Sequence, residues 1–263
     1  MRLSEFADLH GPALERDEVK YNLILGLLGR IRETEPSDVR LWTLGAPGEC
    51  SMQTPGYPLI LGRLSDAQCS AFADATRDLD YPGVVGIDDT PCLFVERASA
   101  RGVTFAEPIP QTIHALRRQP IHPEVPGEAR LVERKDIEQF SQWLLGFFRE
   151  AVPHEPLPPR ERIEATAASG SYRFWTVDGT PVAMAGIVRR TRRTAAIAGV
   201  YTPPALRNRG YAGAVTAAVA DAIFAEGRAA ACLYTDLRNP ASNRCYAKIG
   251  FEPACRAWHY LTA

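Results

Sequence analysis

The chain reads as an α/β protein built around a mixed sheet. Three observations carry that reading. Strand-like runs alternate with amphipathic helical runs through the second half, in the order β-α-α-β-β-β-α-β-α-β. An apolar fraction of 46% lets the chain form a core and argues against wholesale disorder. The 263 residues exceed one typical domain of roughly 100–200 residues, and Pro123, Pro126 and Gly127 punctuate the chain near its midpoint. Two modest domains, residues 1–126 and 127–263, or one large one are expected.

In the first half, an amphipathic helix is expected over residues 19–32. Leu23, Ile24, Leu27, Leu28 and Ile31 recur there at three- and four-residue steps. Extended pieces follow at 39–44 and 59–61. Ser65 and Gln68 have capping-box spacing, and Cys69, Phe72, Ala73 and Thr76 continue the helical face behind them. Residues 83–86 read as a short strand. The runs 92–95 and 103–105 are open between strand and helix end.

The second half is better punctuated. A strand is expected at 129–132. Asp136 is placed to cap a helix whose face is Ile137, Phe140, Leu144, Phe147 and Phe148. Pro153, Pro156, Pro158 and Pro159 stiffen the loop before a second helix at 160–168, which stops near Gly170. Strands at 172–177 and 182–189 are joined by Asp178-Gly179, a hairpin turn pair. The strand 195–201 ends at Pro203-Pro204, since neither proline can donate to a ladder. A long helix from Tyr211 stops at Gly227, and 230–235 is a strand. Asn239 suits a helix N-cap, Pro240 suits the first helical position, and Gly250 suits the left-handed stop. The tail 251–261 is extended.

Charge and composition exclude several classes. The balance of 30 basic and 31 acidic residues gives a net charge of -1, with no global field for nucleic acid or an anionic membrane. Met1 to Glu5 is polar and lacks the apolar stretch of a secretory signal. The apolar run 23–28 is too short to span a bilayer. A cytoplasmic protein is expected. The cysteines at 50, 69, 92, 232, 245 and 255 include no CxxC pair, and the 5 histidines form no HExxH. No metal site is expected, and the cysteines read as buried small hydrophobes.

Chemistry concentrates in residues 199–212. A small-residue turn entering a helix leaves backbone N–H groups without partners at the positive end of the helix dipole, which makes an anion site. Gly210 lets a phosphate approach the backbone. Taken alone, Arg207-Asn208-Arg209-Gly210 reads as an ordinary strand–loop–helix connection with two solvated arginines. It is followed, one strand later, by residues 239–251. Asn239 and Tyr246 lie seven positions apart there, two helical turns, on one face. A phenol on that face could donate a proton. The run from Arg189 to Arg193 reads as a solvated hairpin tip.

Together these residues resemble the GNAT superfamily of acetyl-coenzyme A-dependent N-acetyltransferases. Arg207, Gly210 and Ala212 match its [Q/R]-x-x-G-x-[G/A] loop, and Asn239, Ser242, Tyr246, Gly250 and Phe251 match its later Asn-to-Gly-Phe segment. The resemblance covers about residues 129–263 and is greatest to bacterial members grouped with glycine N-acyltransferase-like proteins. Those often carry a degenerate GNAT-like half in front, and residues 1–126 resemble such a half, with no phosphate loop of their own. Tandem GNAT-like lobes are therefore implied, each a mixed, mostly antiparallel sheet flanked by helices.

The resemblance implies acetyl-CoA as co-substrate and a small-molecule amine or a peptide N-terminus as acceptor. The backbone of Val200, Tyr201 and Thr202 would lie along the acetyl-pantetheine arm. Arg207 opens the loop, and the amides of Asn208, Arg209, Gly210, Tyr211, Ala212 and Gly213 would hold the pyrophosphate. Asn239, with Ser242 beside it in the motif, would bond the pantetheine or order the loop. Tyr246 would protonate the departing thiolate, and a backbone N–H on the splayed strand would stabilise the oxyanion. Many relatives place a glutamate base on the strand before the loop, where this chain has Ala195, Ala196, Ile197, Ala198 and Gly199. Either a base elsewhere or a water relay must serve in its place; Asp236, Glu155 and His154 are the candidate bases, with Glu133 behind them. A non-catalytic CoA-binding module is the rival reading.

Overall fold

The computed structural model describes residues 2–34 and 38–263; Met1 of the polar N-terminus lies outside them. The chain packs as two compact units. One comprises Met1–His114, Tyr234–Asn239 and Pro253–Ala263, the other Ala115–Leu233 and Pro240–Glu252. This division differs from the expected cut after residue 126. Residues 115–126 pack with the second unit, and the C-terminal strand packs with the first.

The first unit begins with α1 (Leu3–Leu14) and α2 (Asn22–Thr34). Three strands follow, β1 (Arg40–Thr43), β2 (Cys50–Gln53) and β3 (Leu59–Leu61), then α3 (Asp66–Ala75), β4 (Gly83–Ile87), α4 (Thr90–Ser99) and β5 (Ile109–Leu116), whose last two residues belong to the second unit. The second unit carries β6 (Glu128–Leu131), α5 (Ile137–Ala151), α6 (Arg160–Ala168), β7 (Tyr172–Val177), β8 (Thr180–Arg190), β9 (Thr194–Tyr201) and α7 (Tyr211–Ala225). β10 (Ala230–Asp236), α8 (Pro240–Ile249) and β11 (Glu252–Leu261) close the chain. From its first helix, each half runs α-α-β-β-β-α-β-α-β.

In the first unit β1–β2, β2–β3 and β4–β11 pair antiparallel, and β3–β4 pair parallel. The Ser65–Gln68 capping box forms as its spacing predicts. The open stretch 92–95 is helical, inside α4.

In the second unit β6–β7, β7–β8 and β8–β9 pair antiparallel. β10 joins β9 in parallel through three pairs only, Ala230 with Thr194, Ala231 with Ala195 and Cys232 with Ala196. One face of this sheet, with Ala183, Ala185, Ile187, Ala195 and Ile197, packs on α7 and α8. The other, with Tyr172, Phe174 and Met184, packs on α5 and α6. Asp178 and Gly179 both adopt positive φ, 49° and 76°, as a tight hairpin matched to strand twist requires. Asp136 departs from its expected role. Its carboxylate takes two hydrogen bonds from Arg130 and one from the Glu133 amide, so it closes the short 3-10 turn before α5.

None of the six cysteines forms a disulfide. Cys50, Cys69 and Cys232 are buried as expected, but Cys92, Cys245 and Cys255 are only half-buried. Among the described residues no helix is long and apolar enough to cross a membrane, and no cluster of three His, Cys, Asp or Glu side chains could hold a metal ion.

Candidate functional site

β9 gives way at Pro203 to a 3-10 turn, Pro204–Leu206, and then to the loop that enters α7. Asn208 and Gly210 both adopt left-handed backbone, at φ 62° and 83°. Alternating left-handed residues turn successive N–H groups to one side, the geometry of an anion-binding nest. The first helical amide with a protein acceptor is Ala214, which donates to the Gly210 carbonyl at 3.1 Å. Among the described residues, the amides of Asn208, Arg209, Gly210, Tyr211, Ala212 and Gly213 donate to no protein acceptor. They stand at the positive end of a 15-residue helix. Seven alanines give that helix high intrinsic propensity.

Thr202 supplies a second signal. It is only 8% exposed, and its hydroxyl has no hydrogen-bond partner. A buried polar atom left unpaired is costly unless a ligand or water completes it. An orphaned hydroxyl just after β9 and six unpaired amides at the entry to α7 fit an elongated ligand with a polar arm and an anionic group.

The loop's side chains behave differently from its amides. Arg207 turns back onto the protein, donating to Glu150 at 2.6 Å and to the Thr202 carbonyl at 2.9 Å, with its guanidinium 5.8 Å from the Tyr201 ring centre. Arg209 is exposed and reaches only the Ala205 carbonyl. Val200 packs toward α7, whereas Tyr201 packs toward α5 and donates its hydroxyl to Glu150 at 3.1 Å. Burial, and then the Glu150 carboxylate, push the Tyr201 phenol above its ordinary range.

The punctuated stretch near the midpoint lies over this loop. Val125 stands against Gly210 and Pro123 against Gly213, which also meets Cys245 of α8. Ile121 donates to the Ile249 carbonyl at 2.8 Å, His122 meets Asp221 of α7 at 2.9 Å, and Trp175 donates to the Pro126 carbonyl at 2.9 Å. These contacts anchor the stretch to the second unit.

Asn239 stands immediately before α8, and its amide donates to the Asp236 carbonyl. It packs with the first unit, whereas Ser242 and Tyr246 pack with the second. Tyr246 is 9% exposed, its ring edge-on to Phe251 at 6.1 Å. Its hydroxyl forms no hydrogen bond to the described residues. Burial, with Cys245 beside it, raises the phenol above the ordinary tyrosine range and keeps it protonated at neutral pH.

Two carboxylates named as candidate bases are engaged locally, Asp236 by Arg238 at 2.9 Å and Glu133 by Lys135 at 2.7 Å. Glu155 is exposed and His154 half-buried. The carboxylate that meets the end of β9 is Glu150, which no motif points to. It lies 51 and 57 positions from its two partners, so only the folded chain brings them together.

Comparison with known proteins places these features in a family context. Residues 137–251 match the model of the acetyltransferase (GNAT) family. The chain is similar to a GCN5-related N-acetyltransferase from Kribbella flavida, with 17% identity and a TM-score of 0.66 over 93% of this chain and 95% of that one. A Drosophila protein superposes with a TM-score of 0.72 at 14% identity, over 99% and 97% of the two chains. A tandem GNAT protein from the clavulanic acid biosynthesis pathway superposes at 0.53 and 13% identity, over 90% and 87%. No curated protein gives a significant match. The family match supports acyl transfer in general, and the chain has the GNAT acetyltransferase fold.

Proposed function

We propose that the chain is an acetyl-CoA-dependent N-acetyltransferase for a primary amine. The observation that carries this reading is the run of unpaired amides from Asn208 to Gly213 together with the orphaned Thr202 hydroxyl. Acetyl-CoA would supply the acyl group and a thiolate leaving group. The amides would hold its pyrophosphate, and the backbone of Val200 to Thr202, with Asn239 and Ser242, would hold its pantetheine arm. The amine attacks directly in a ternary complex. A backbone N–H of β9 donates to the charge growing on the carbonyl oxygen, Tyr246 gives its proton to the sulfur as the C–S bond breaks, and the proton shed by the amine nitrogen passes through a water relay to restore the phenol.

A small-molecule amine and a peptide N-terminus both suit this chemistry as acceptors. The first half acts as a degenerate lobe, in the manner of the glycine N-acyltransferase-like subgroup. One feature favours the rival reading of a CoA-binding module without catalysis: β9 carries no carboxylate. Thiol release from acetyl-CoA against a panel of amines separates the two. Amine-dependent release is expected. CoA binding without release for any amine would leave the module.

A further inference from the structure

We infer that Glu150 is the positioning residue of the phosphate loop, locking Arg207 and Tyr201 so that the loop amides stay converged. The inference rests on the loop's proposed role in holding CoA. Glu150 lies at the end of α5, on the opposite face of the sheet from α7. One carboxylate oxygen accepts from the Tyr201 hydroxyl at 3.1 Å, and the other from Arg207 at 2.6 Å. The same guanidinium donates to the Thr202 carbonyl at 2.9 Å and lies over the Tyr201 ring. Tyr201 at the end of β9 and Arg207 at the head of the loop are thus tied to one acidic side chain, and Thr202 is tied to it through Arg207. An arginine without this carboxylate would be free to leave the Thr202 carbonyl. The 3-10 turn between them, whose backbone hydrogen bonds run from the Leu206 and Arg207 amides to Pro203 and Pro204, would then loosen.

Positioning and charge make opposite forecasts. A carboxylate beside a phosphate site opposes anion binding, so on charge alone its removal should tighten CoA. If Glu150 preorganises the site, its removal should weaken CoA. Calorimetric titration of CoA into the full chain, with Glu150→Ala, Glu150→Gln, Arg207→Ala and the double alanine variant, distinguishes them. We expect Glu150→Ala to weaken CoA roughly tenfold, the scale of one lost charge-assisted hydrogen bond. Glu150→Gln should fall between it and the wild type. The double variant should be no worse than the weaker single one, as coupled residues behave.

Amide hydrogen exchange gives a readout independent of CoA. Leu206 and Arg207 should exchange faster in Glu150→Ala than in the wild type. Unchanged exchange, or CoA bound as tightly or more tightly by the Glu150 variants, overturns the inference. Faster exchange in a protein whose wild type binds no CoA would uphold the lock and remove the CoA reading instead.

Discussion

Val125 and Gly210 are matched in shape: the Val125 side chain lies 2.7 Å from where a β-carbon on Gly210 would stand. Gly210 also holds a φ of 83°, which disfavours any residue with a β-carbon. Gly210→Ala therefore meets two separate penalties, a steric contact and a backbone strain of about 1–2 kcal/mol. We expect it to lower both thermal stability and CoA affinity. Adding Val125→Ala should recover the part due to the contact and leave the part due to φ. A folded Gly210→Ala chain that binds CoA like the wild type would remove the loop from the phosphate site.

One CoA per chain is expected, because the first half's counterpart of this loop has several of its amides engaged with the protein. Between β3 and α3, Gly62 donates to the Cys50 carbonyl and Leu64 to the Thr90 hydroxyl. Ser65 and Gln68 cap each other, and the Gln68 amide group also binds Glu49 at 2.7 Å. The N-terminus of α3 is thus partly capped by its own side chains. The α7 entry, with six amides unpaired, is open. A calorimetric stoichiometry of two CoA per chain would defeat this reading.

The second unit was legible wherever a turn residue marked an element's end. Asp178-Gly179, Pro203-Pro204, Gly227 and Gly250 each stop a strand or helix where local chemistry demands it. The first unit hid more. α1 carries Gly11 and Pro12 inside its last turn, which mask a helix otherwise held by buried Phe6, His10 and Leu14. β2 is buried at all four residues, so no alternation betrays it. β5 opens on Ile109-Pro110, which resembles a loop. The packing of β11 with the first unit, like the meeting of Glu150 with Arg207, joins distant positions and leaves no periodic trace. The motif residues were legible because helix-entry chemistry is local. Glu150 was not, because a glutamate near a helix end reads as solvated.

His10 should make the protein less stable in acid. The ring is fully buried, and its Nδ1 accepts from the Gly48 amide at 3.0 Å. Nε2 therefore carries the proton and donates to the Thr43 hydroxyl at 2.9 Å. Burial holds the imidazole below its usual 6.5. As pH falls below about 6.5 the unfolded chain takes up a proton that the folded chain resists, so stability drops. Urea denaturation at pH 7 and pH 5 measures this. His10→Gln should be less stable at pH 7 but should lose part of the decline. An identical decline in both proteins would assign the acid sensitivity elsewhere.

Tyr246→Phe should separate catalysis from stability. The ring packs on Phe251 within the core, and phenylalanine keeps that contact. The hydroxyl has no protein partner to orphan, so the melting temperature should change little. CoA affinity should also hold, since the loop amides are untouched. A thiolate leaving group has an unperturbed pKa of about 8.5 and a phenol about 10, and burial raises this phenol further. Tyr246 thus stays protonated across the neutral range. Proton transfer to a free thiolate would be uphill, so donation must accompany C–S cleavage, when the sulfur becomes most basic. Deleting such a donor should lower kcat by about 10²–10⁴-fold where chemistry limits the rate. The wild-type kcat profile should show no alkaline fall from this group below about pH 10. Steady-state kinetics of the variant with an accepted amine, beside a CoA titration, reads both effects. A kcat near wild type, with chemistry shown to be rate-limiting, would leave Tyr246 as a packing residue and turn the balance toward the CoA-binding module.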